Sequence, residues 1–296
     1  LKPDALDAGN IGFVLAPRLN AAGRLEHALR AYDLLTTIYP DEAESLAQQL
    51  EETNRERQRL TTALTLKARE AVAESAEREP LLFVTDGEFL EGIVGLIASR
   101  LVDEFYRPAI AVHYGETESR GSARSINEFN IVAALDECRD LLVRHGGHAM
   151  AAGFTVRNEN LLALQTRLRE IAARELVPTE LTPTLTVDAE VSLSEMTWTL
   201  YKSLEQLAPF GYGNREPVFV SRNVLVRDAR VVGNEHLKLL LSDGQMVWDA
   251  IAFRQASWLG QLPSYIDIAY QLDARTWNGE TRLQLNVKDI KPTKDG

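Results

Sequence analysis

Two short stretches of the chain place groups that could hold a phosphate. In GSARS, Ser122 and Arg124 stand two residues apart in a strand pattern, so their side chains share one face. A hydroxyl and a forked guanidinium on one face can grip a single phosphate, the guanidinium through charge-assisted hydrogen bonds. The same alternation describes a solvated sheet edge, and spacing alone favours that description. In RHGGHAMAAGFT, His145 and His148 flank Gly146 and Gly147. Read as the end of a helix, the glycines form a C-cap with positive φ, and His145 complements the negative helix end. The second glycine and His148 suggest more, because paired glycines bare backbone N–H groups that could face an anion. Both readings stay open on these residues. A third set, Arg18, Asn20, Arg24, Asn54, Arg57 and Gln58, lies in GFVLAPRLNAAGRL and NRERQR beside apolar segments. Such side chains line a groove, or cap helices and pair with Glu.

Other chemistries lack their patterns. The sequence holds no Cys-Cys or His-Glu-x-x-His zinc signature, no Gly-rich Walker loop and no Gly-x-Ser-x-Gly elbow. His27, His113 and His236 are isolated, so no complete metal site is expected within this chain. The single cysteine, Cys138, excludes a disulfide framework and falls in an apolar pattern that predicts a buried thiol. The formal net charge of -11 argues against a nucleic-acid partner for the chain as a whole. Charge distribution tells a different story. Acidic residues crowd DEAESLAQQLEE and ESAEREP, while Arg139, Arg144, Arg157, Arg167, Arg169 and Arg174 gather in sequence around the Gly-rich stretch. A local basic surface fits that distribution, as do mixed-charge helix faces for Arg167, Arg169 and Arg174.

The elements that must position these residues follow from periodicity. At 296 residues and 45% hydrophobic, the chain is long enough for about two domains. No apolar run approaches the roughly 20 residues of a membrane span, and LKPDALDAGN lacks a signal-peptide pattern, so a cytoplasmic protein is expected. Residues 1–40 read as the end of a domain that begins earlier, with a turn at Asn-Ala-Ala-Gly and a short helix from about Leu25. Residues 41–77 read as one long helix with at least one wet face, begun by Pro40, Asp41 and Glu42. Residues 78–178 alternate strands (LLFVTD, AIAVHY, GSARSI, AAGFTV) with helices (GIVGLIASRLVDEF, FNIVAALDECRDLLVRH, NLLALQTRLREIAAREL), predicting an α/β sheet. Residues 179–296 change to short β runs, with one helix at SEMTWTLYKSLEQL and turns at Ser-Asp-Gly and Trp-Asn-Gly. A small Greek-key barrel of OB type is predicted there.

Taken in order, GFVLAPRLNAAGRL, TNRERQ, EGIVGLIASRL, GSARSINEFNI, RHGGHAMAAGFTV, LAPFGYGNREPVF and HLKLLL resemble the RecJ family of single-strand-specific 5′→3′ exonucleases over nearly the whole chain. GGHAMAAGF is the mark of a DHHA1 domain, and LAPFGYGNREPVF with HLKL that of RecJ. The resemblance implies the tail of a catalytic DHH domain at 1–40, a connector helix at 41–77, a DHHA1 domain at 78–178 and an OB-fold at 179–296. It implies an enzyme of DNA repair and recombination whose Mn²⁺ or Mg²⁺ is bound by the upstream DHH domain. Its partners would be single-stranded DNA, the upstream domain, single-strand-binding protein and other repair proteins, with no membrane. Carried onto this sequence, it makes Ser122 and Arg124 holders of the 5′-terminal phosphate, Arg24 and Gln58 holders of the neighbouring backbone, and Gly146, Gly147 and His148 the wall opposite the upstream metal centre, with His148 in a supporting catalytic role. Two alternatives are a non-catalytic single-strand-binding module, with Phe210, Tyr212 and Trp277 as stacking residues, and a DHH-type phosphodiesterase of short oligonucleotides or cyclic dinucleotides.

Overall fold

A computed structural model describes residues 6–76, 78–176, 181–211, 213–233, 235–277 and 279–293. The chain divides into two compact units, Leu1–Pro183 and Thr184–Gly296. No helix among the described residues is long and apolar enough to cross a membrane.

The first unit opens on helices. A short α1 (Ala8–Asn10) runs through a π-helical turn into α2 (Ala16–Leu25), followed by α3 (Leu29–Thr36) and the long α4 (Pro40–Val72). Pro40 at the first turn with Asp41 and Glu42 beside it starts α4 as expected, the acids complementing the positive helix end. Leu50, Ala68 and Val72 bury one stripe of this helix, and the opposite face carries surface pairs such as Glu51–Arg55 and Glu56–Arg59. Two expectations fail here. Asn-Ala-Ala-Gly is not a turn but lies inside α2, where Ala21 and Ala22 are fully buried against neighbouring helices. The next helix starts at Leu29, because Leu25 closes α2.

A five-stranded sheet follows, with β1 (Leu82–Asp86), β2 (Ala109–His113), β3 (Glu118–Arg124), β4 (Leu142–His148) and β5 (Ala151–Arg157) in the order β1-β2-β3-β5-β4. Only β1 and β2 run parallel, joined across α5 (Val94–Phe105). One sheet face packs Phe83, Ile110, Ala123, Phe154 and Val156 against α6 (Ile131–Asp136) and α7 (Leu161–Leu176). The other packs Leu82, Val84, Ala109 and Ala111 under α5 and the end of α4. That second cover reaches only β1, β2 and the near side of β3, so Gly153 of β5 and Gly146 and His148 of β4 stay exposed.

The predicted helix over FNIVAALDECRDLLVRH is cut short. Asn130 caps α6 by accepting from the Ala133 amide, but the helix ends at Asp136, and Leu142–His148 is an edge strand. A run ending in Gly-Gly has poor helix propensity, and the antiparallel partner β5 offers a full ladder instead. Cys138 sits between the two elements, fully buried, and burial pushes its thiol up to about 11. Since the thiolate is the reactive form, Cys138 is expected to resist a disulfide reagent at pH 8 until denaturant is added. Release of one chromophore equivalent from the native protein within minutes would contradict this.

The second unit is a closed barrel. The strands β7 (Phe219–Val232), β8 (His236–Ser242), β9 (Val247–Ala252), β10 (Tyr265–Trp277) and β11 (Glu280–Pro292) pair in the order β7-β8-β9-β11-β10, and β10 returns to β7. The β9–β11 pair is parallel, the connectivity of an OB-fold. A two-residue β6 (Ala189–Glu190) extends the sheet beside β7, and α8 (Trp198–Glu205) precedes the barrel strands. Leu237, Leu239, Leu241, Ala250, Ile268 and Leu285 alternate inward along their strands, as period two requires. Tyr270 is fully buried among them, its hydroxyl 2.9 Å from Ser221 Oγ, and burial raises its pKa to about 12.

Candidate nucleic-acid interface

The uncovered face of the first unit is ordered by strand register. Ser122, Gly153 and Gly146 form one row across β3, β5 and β4. On one side lies the row Arg124, Ala151, His148, and on the other Arg120, Thr155, Arg144. Strands about 4.8 Å apart give each row a width of roughly 10 Å. The middle row carries no side chain beyond a hydroxymethyl group, so it is a trough of bare backbone between two rims that carry cations and an imidazole. Arg144 donates from Nε to Thr155 Oγ1 at 3.1 Å, which holds that rim against the sheet. The trough opens into a cavity of about 390 Å³ lined by the middle row, by the row Arg120, Thr155, Arg144, and by Glu91 and Val94 just before and at the start of α5.

Ser122 joins the trough to a cluster of arginines. Arg124 Nη1 donates to Ser122 Oγ at 3.0 Å and to the Ala123 carbonyl at 2.8 Å. Arg24, at the end of α2, donates to the Gly92 carbonyl at 3.1 Å. Arg57, on α4, donates to Asn54 Oδ1 from both Nε and Nη2. Burial, then the nearby Arg24 charge, lowers the pKa of Arg124. Burial, then Arg24 and Arg100, does the same for Arg57. Guanidinium groups stay protonated regardless. The Arg24 charge therefore repels both Arg57 and Arg124, and among the described residues none of the three has a carboxylate in salt-bridge range. An anion placed between them would relieve that repulsion and accept several forked hydrogen bonds.

The structure brings together some predicted residues and separates others. Ser122, Arg124, Gly146 and His148 share one sheet face, and Arg24 approaches Arg124. Gln58 is exposed on α4, while its neighbour Arg57 takes the place in the cluster. Ser122 and Arg124 converge on the first turn of α5, where a β-carbon on Gly95 would lie 2.9 Å from Arg124 Nη2. Gly146 and Gly147 are strand residues, neither a helix cap nor a nest of free amides. Gly147 holds φ +153° and turns its missing side chain toward Ala151 and Ala152, where a β-carbon would stand 2.3 Å from a carbonyl oxygen. His145 is bonded to Asp136 at 2.9 Å. Of the sequence-gathered arginines, Arg139, Arg157, Arg167, Arg169 and Arg174 are paired with carboxylates, and only Arg144 lines the trough.

On the barrel, sequence reading missed Phe253. This exposed ring has the Arg275 guanidinium 5.9 Å from its centroid and His236 edge-on at 5.2 Å. His236 accepts from the Arg254 amide through Nδ1 at 3.1 Å, which fixes its ring. No periodic signal marked Phe253, which stands in the turn after β9. Phe210 is half-buried. Tyr212 and the Trp277 side chain lie outside the described residues.

Among the described residues no group of three or more His, Cys, Asp or Glu could hold a metal ion. The residues present therefore do not fit a Mn²⁺ or Mg²⁺ centre, which needs converging oxygen donors. The DHHA1 domain family matches residues 79–174, and the RecJ OB domain family matches residues 187–289. The chain has the DHHA1 and OB domains of the RecJ family. It is 36% identical over 285 residues to the single-stranded-DNA-specific exonuclease RecJ of Bacillus subtilis, covering 94% of this chain and 36% of that protein. The RecJ of Escherichia coli is 32% identical over 300 residues, covering 97% of this chain and 52% of that protein. The crystal structure of Thermus thermophilus RecJ in complex with Mn²⁺ superposes with a TM-score of 0.85 at 29% identity, over 97% of this chain and 42% of the other. This RecJ-family chain thus spans between about a third and about half of the relatives it matches.

Proposed function

We propose that this chain is the substrate-binding part of a cytoplasmic RecJ-like 5′→3′ exonuclease for single-stranded DNA, acting in repair and recombination. The observation that carries the reading is the cluster of Arg24, Arg57 and Arg124 with Ser122, cations without carboxylate partners among the described residues, at the mouth of a bare trough. In this reading the 5′-terminal phosphate sits in the cluster, and the following backbone lies along Ser122, Gly153 and Gly146 between His148 and Arg144. A DHH domain preceding this segment in the same polypeptide carries out the hydrolysis. Its Mn²⁺ or Mg²⁺ supplies an activated water and neutralises developing charge. The residues of this chain orient the strand, which by itself accounts for a large share of such a barrier. Exposed apolar side chains in the helical opening, among them Phe13, Tyr32, Leu35 and Ile38, support a partner domain there. Single-strand-binding protein and other repair proteins are further partners in this reading. On the barrel, Phe253 and Arg275 offer a base a stacking surface.

Three expectations test this. The isolated chain releases no nucleotides from 5′-labelled single strands with Mn²⁺ or Mg²⁺; metal-dependent release that co-purifies with the chain would refute the division of labour. By fluorescence anisotropy, the chain binds a 5′-phosphorylated oligonucleotide more tightly than its 5′-hydroxyl form, and affinity falls steeply with salt. A shortened chain ending at Pro183 binds both more weakly, since the barrel is gone. Equal affinity for the two ends would remove the phosphate assignment.

A further inference from the structure

We infer that Gly95 is a specificity-determining residue for 5′-phosphorylated ends, because its missing side chain lets Ser122 and Arg124 close on the first turn of α5. This rests on the phosphate-binding reading of the arginine cluster. Gly95 is the second residue of a twelve-residue helix whose N-cap, Ile93, offers no side-chain acceptor. A β-carbon at Gly95 would meet Arg124 Nη2 at 2.9 Å, Ser122 Oγ at 3.1 Å and Arg124 Cζ at 3.7 Å. All three atoms belong to the groups proposed to hold the phosphate. The neighbouring Gly92 serves a different contact. A β-carbon there would lie 1.9 Å from the Arg24 carbonyl oxygen and 2.7 Å from its carbon, so Gly92 lets two backbone segments dock.

The distinction decides what substitution does. At Gly92 the obstacle is main chain, which cannot give way without parting α2 from α5. At Gly95 it is the far end of a flexible guanidinium and a hydroxyl, which swing aside while the fold persists. Alanine also has a higher helix propensity than glycine, so a merely structural role for Gly95 predicts an unchanged or more stable protein with unchanged binding. A displaced Arg124 still presents a positive charge to any strand. It no longer shares one anion with Ser122. The loss is therefore confined to the terminal phosphate.

The test is Gly95→Ala in the full chain, with affinity for 5′-phosphorylated and 5′-hydroxyl oligonucleotides measured by anisotropy and melting followed in parallel. The preference for the phosphorylated end is expected to fall about tenfold, the scale of one charge-assisted hydrogen bond, with 5′-hydroxyl affinity and melting temperature held. Gly92→Ala, by contrast, should lower the melting temperature. In a cycle with Arg124→Ala the losses of preference should not add, because both changes act on one guanidinium. This cycle decides the matter even if Gly95→Ala melts early. An unchanged preference, an equal loss for both ends, or additive losses in the cycle would each overturn the role of Gly95. A wild-type chain without any end preference would instead refute the phosphate reading beneath it.

Discussion

Arg124→Ala in the full-length enzyme is expected to lower cleavage of 5′-phosphorylated strands about ten- to a hundredfold while 5′-hydroxyl strands lose far less. Arg124 is half-buried, fixed by bonds to Ser122 Oγ and the Ala123 carbonyl, and has no carboxylate in reach among the described residues. Its charge is thus already desolvated and oriented before an anion arrives, so little ordering cost offsets the contact. Removing a hydrogen bond to a charged group costs about 1.5 to 3 kcal/mol, which is the stated factor. Arg144 provides the comparison. It sits on the far rim, held by Thr155. Arg144→Ala should weaken both kinds of strand alike and reduce the salt dependence by about one phosphate contact. Should Arg124→Ala slow both substrates by the same factor, Arg124 is one more backbone contact and the terminal phosphate binds elsewhere.

Phe154→Ala is expected to cost the DHHA1 unit about 3 to 5 kcal/mol, the range for deleting a buried aromatic. Phe154 is 5% exposed, directly opposite Gly121 in the β3–β5 register, and its ring lies over that glycine. A β-carbon on Gly121 would be 2.1 Å from Phe154 Cζ, so the ring occupies the space where a side chain would stand. Aromatic cover of a strand glycine compensates for the packing a glycine lacks. Gly121→Ala should therefore cost about 1 to 3 kcal/mol by overpacking, and adding Phe154→Leu should return part of it. Because Gly121 adjoins Ser122, both changes should also lower the preference for phosphorylated ends. Amide exchange of β3 and β5 reads this unit separately from the barrel. Protection lost by less than about 1 kcal/mol in Phe154→Ala would show that the pair does not hold these strands.

Periodicity and local chemistry in the sequence determined most elements. The apolar run LLFVT, the helical stripe of GLIASRLVDEF and the alternating barrel strands each carry their own signal, and local patterns need no partner to be read. The shared face of Ser122 and Arg124 follows from period two alone. Tertiary structure decided what these residues meet. Leu142–His148 follows a helical pattern up to its Gly-Gly pair, and the open edge of β5 makes it a strand, which sets Gly146 in a trough and His148 on its rim rather than in a cap. Asn20 to Gly23 looks like a turn by composition, but burial of Ala21 and Ala22 keeps it helical. Arg57 and Gln58 are adjacent in sequence and about 100° apart around α4, and the side on which α5 packs chose the arginine. Gly95 has no sequence signal for its role, since a missing side chain acquires meaning only from the guanidinium that fills its space. Barrel closure is likewise a long-range event. The pairing of β10 with β7 joins residues 40 to 51 positions apart, and no window of local sequence contains both.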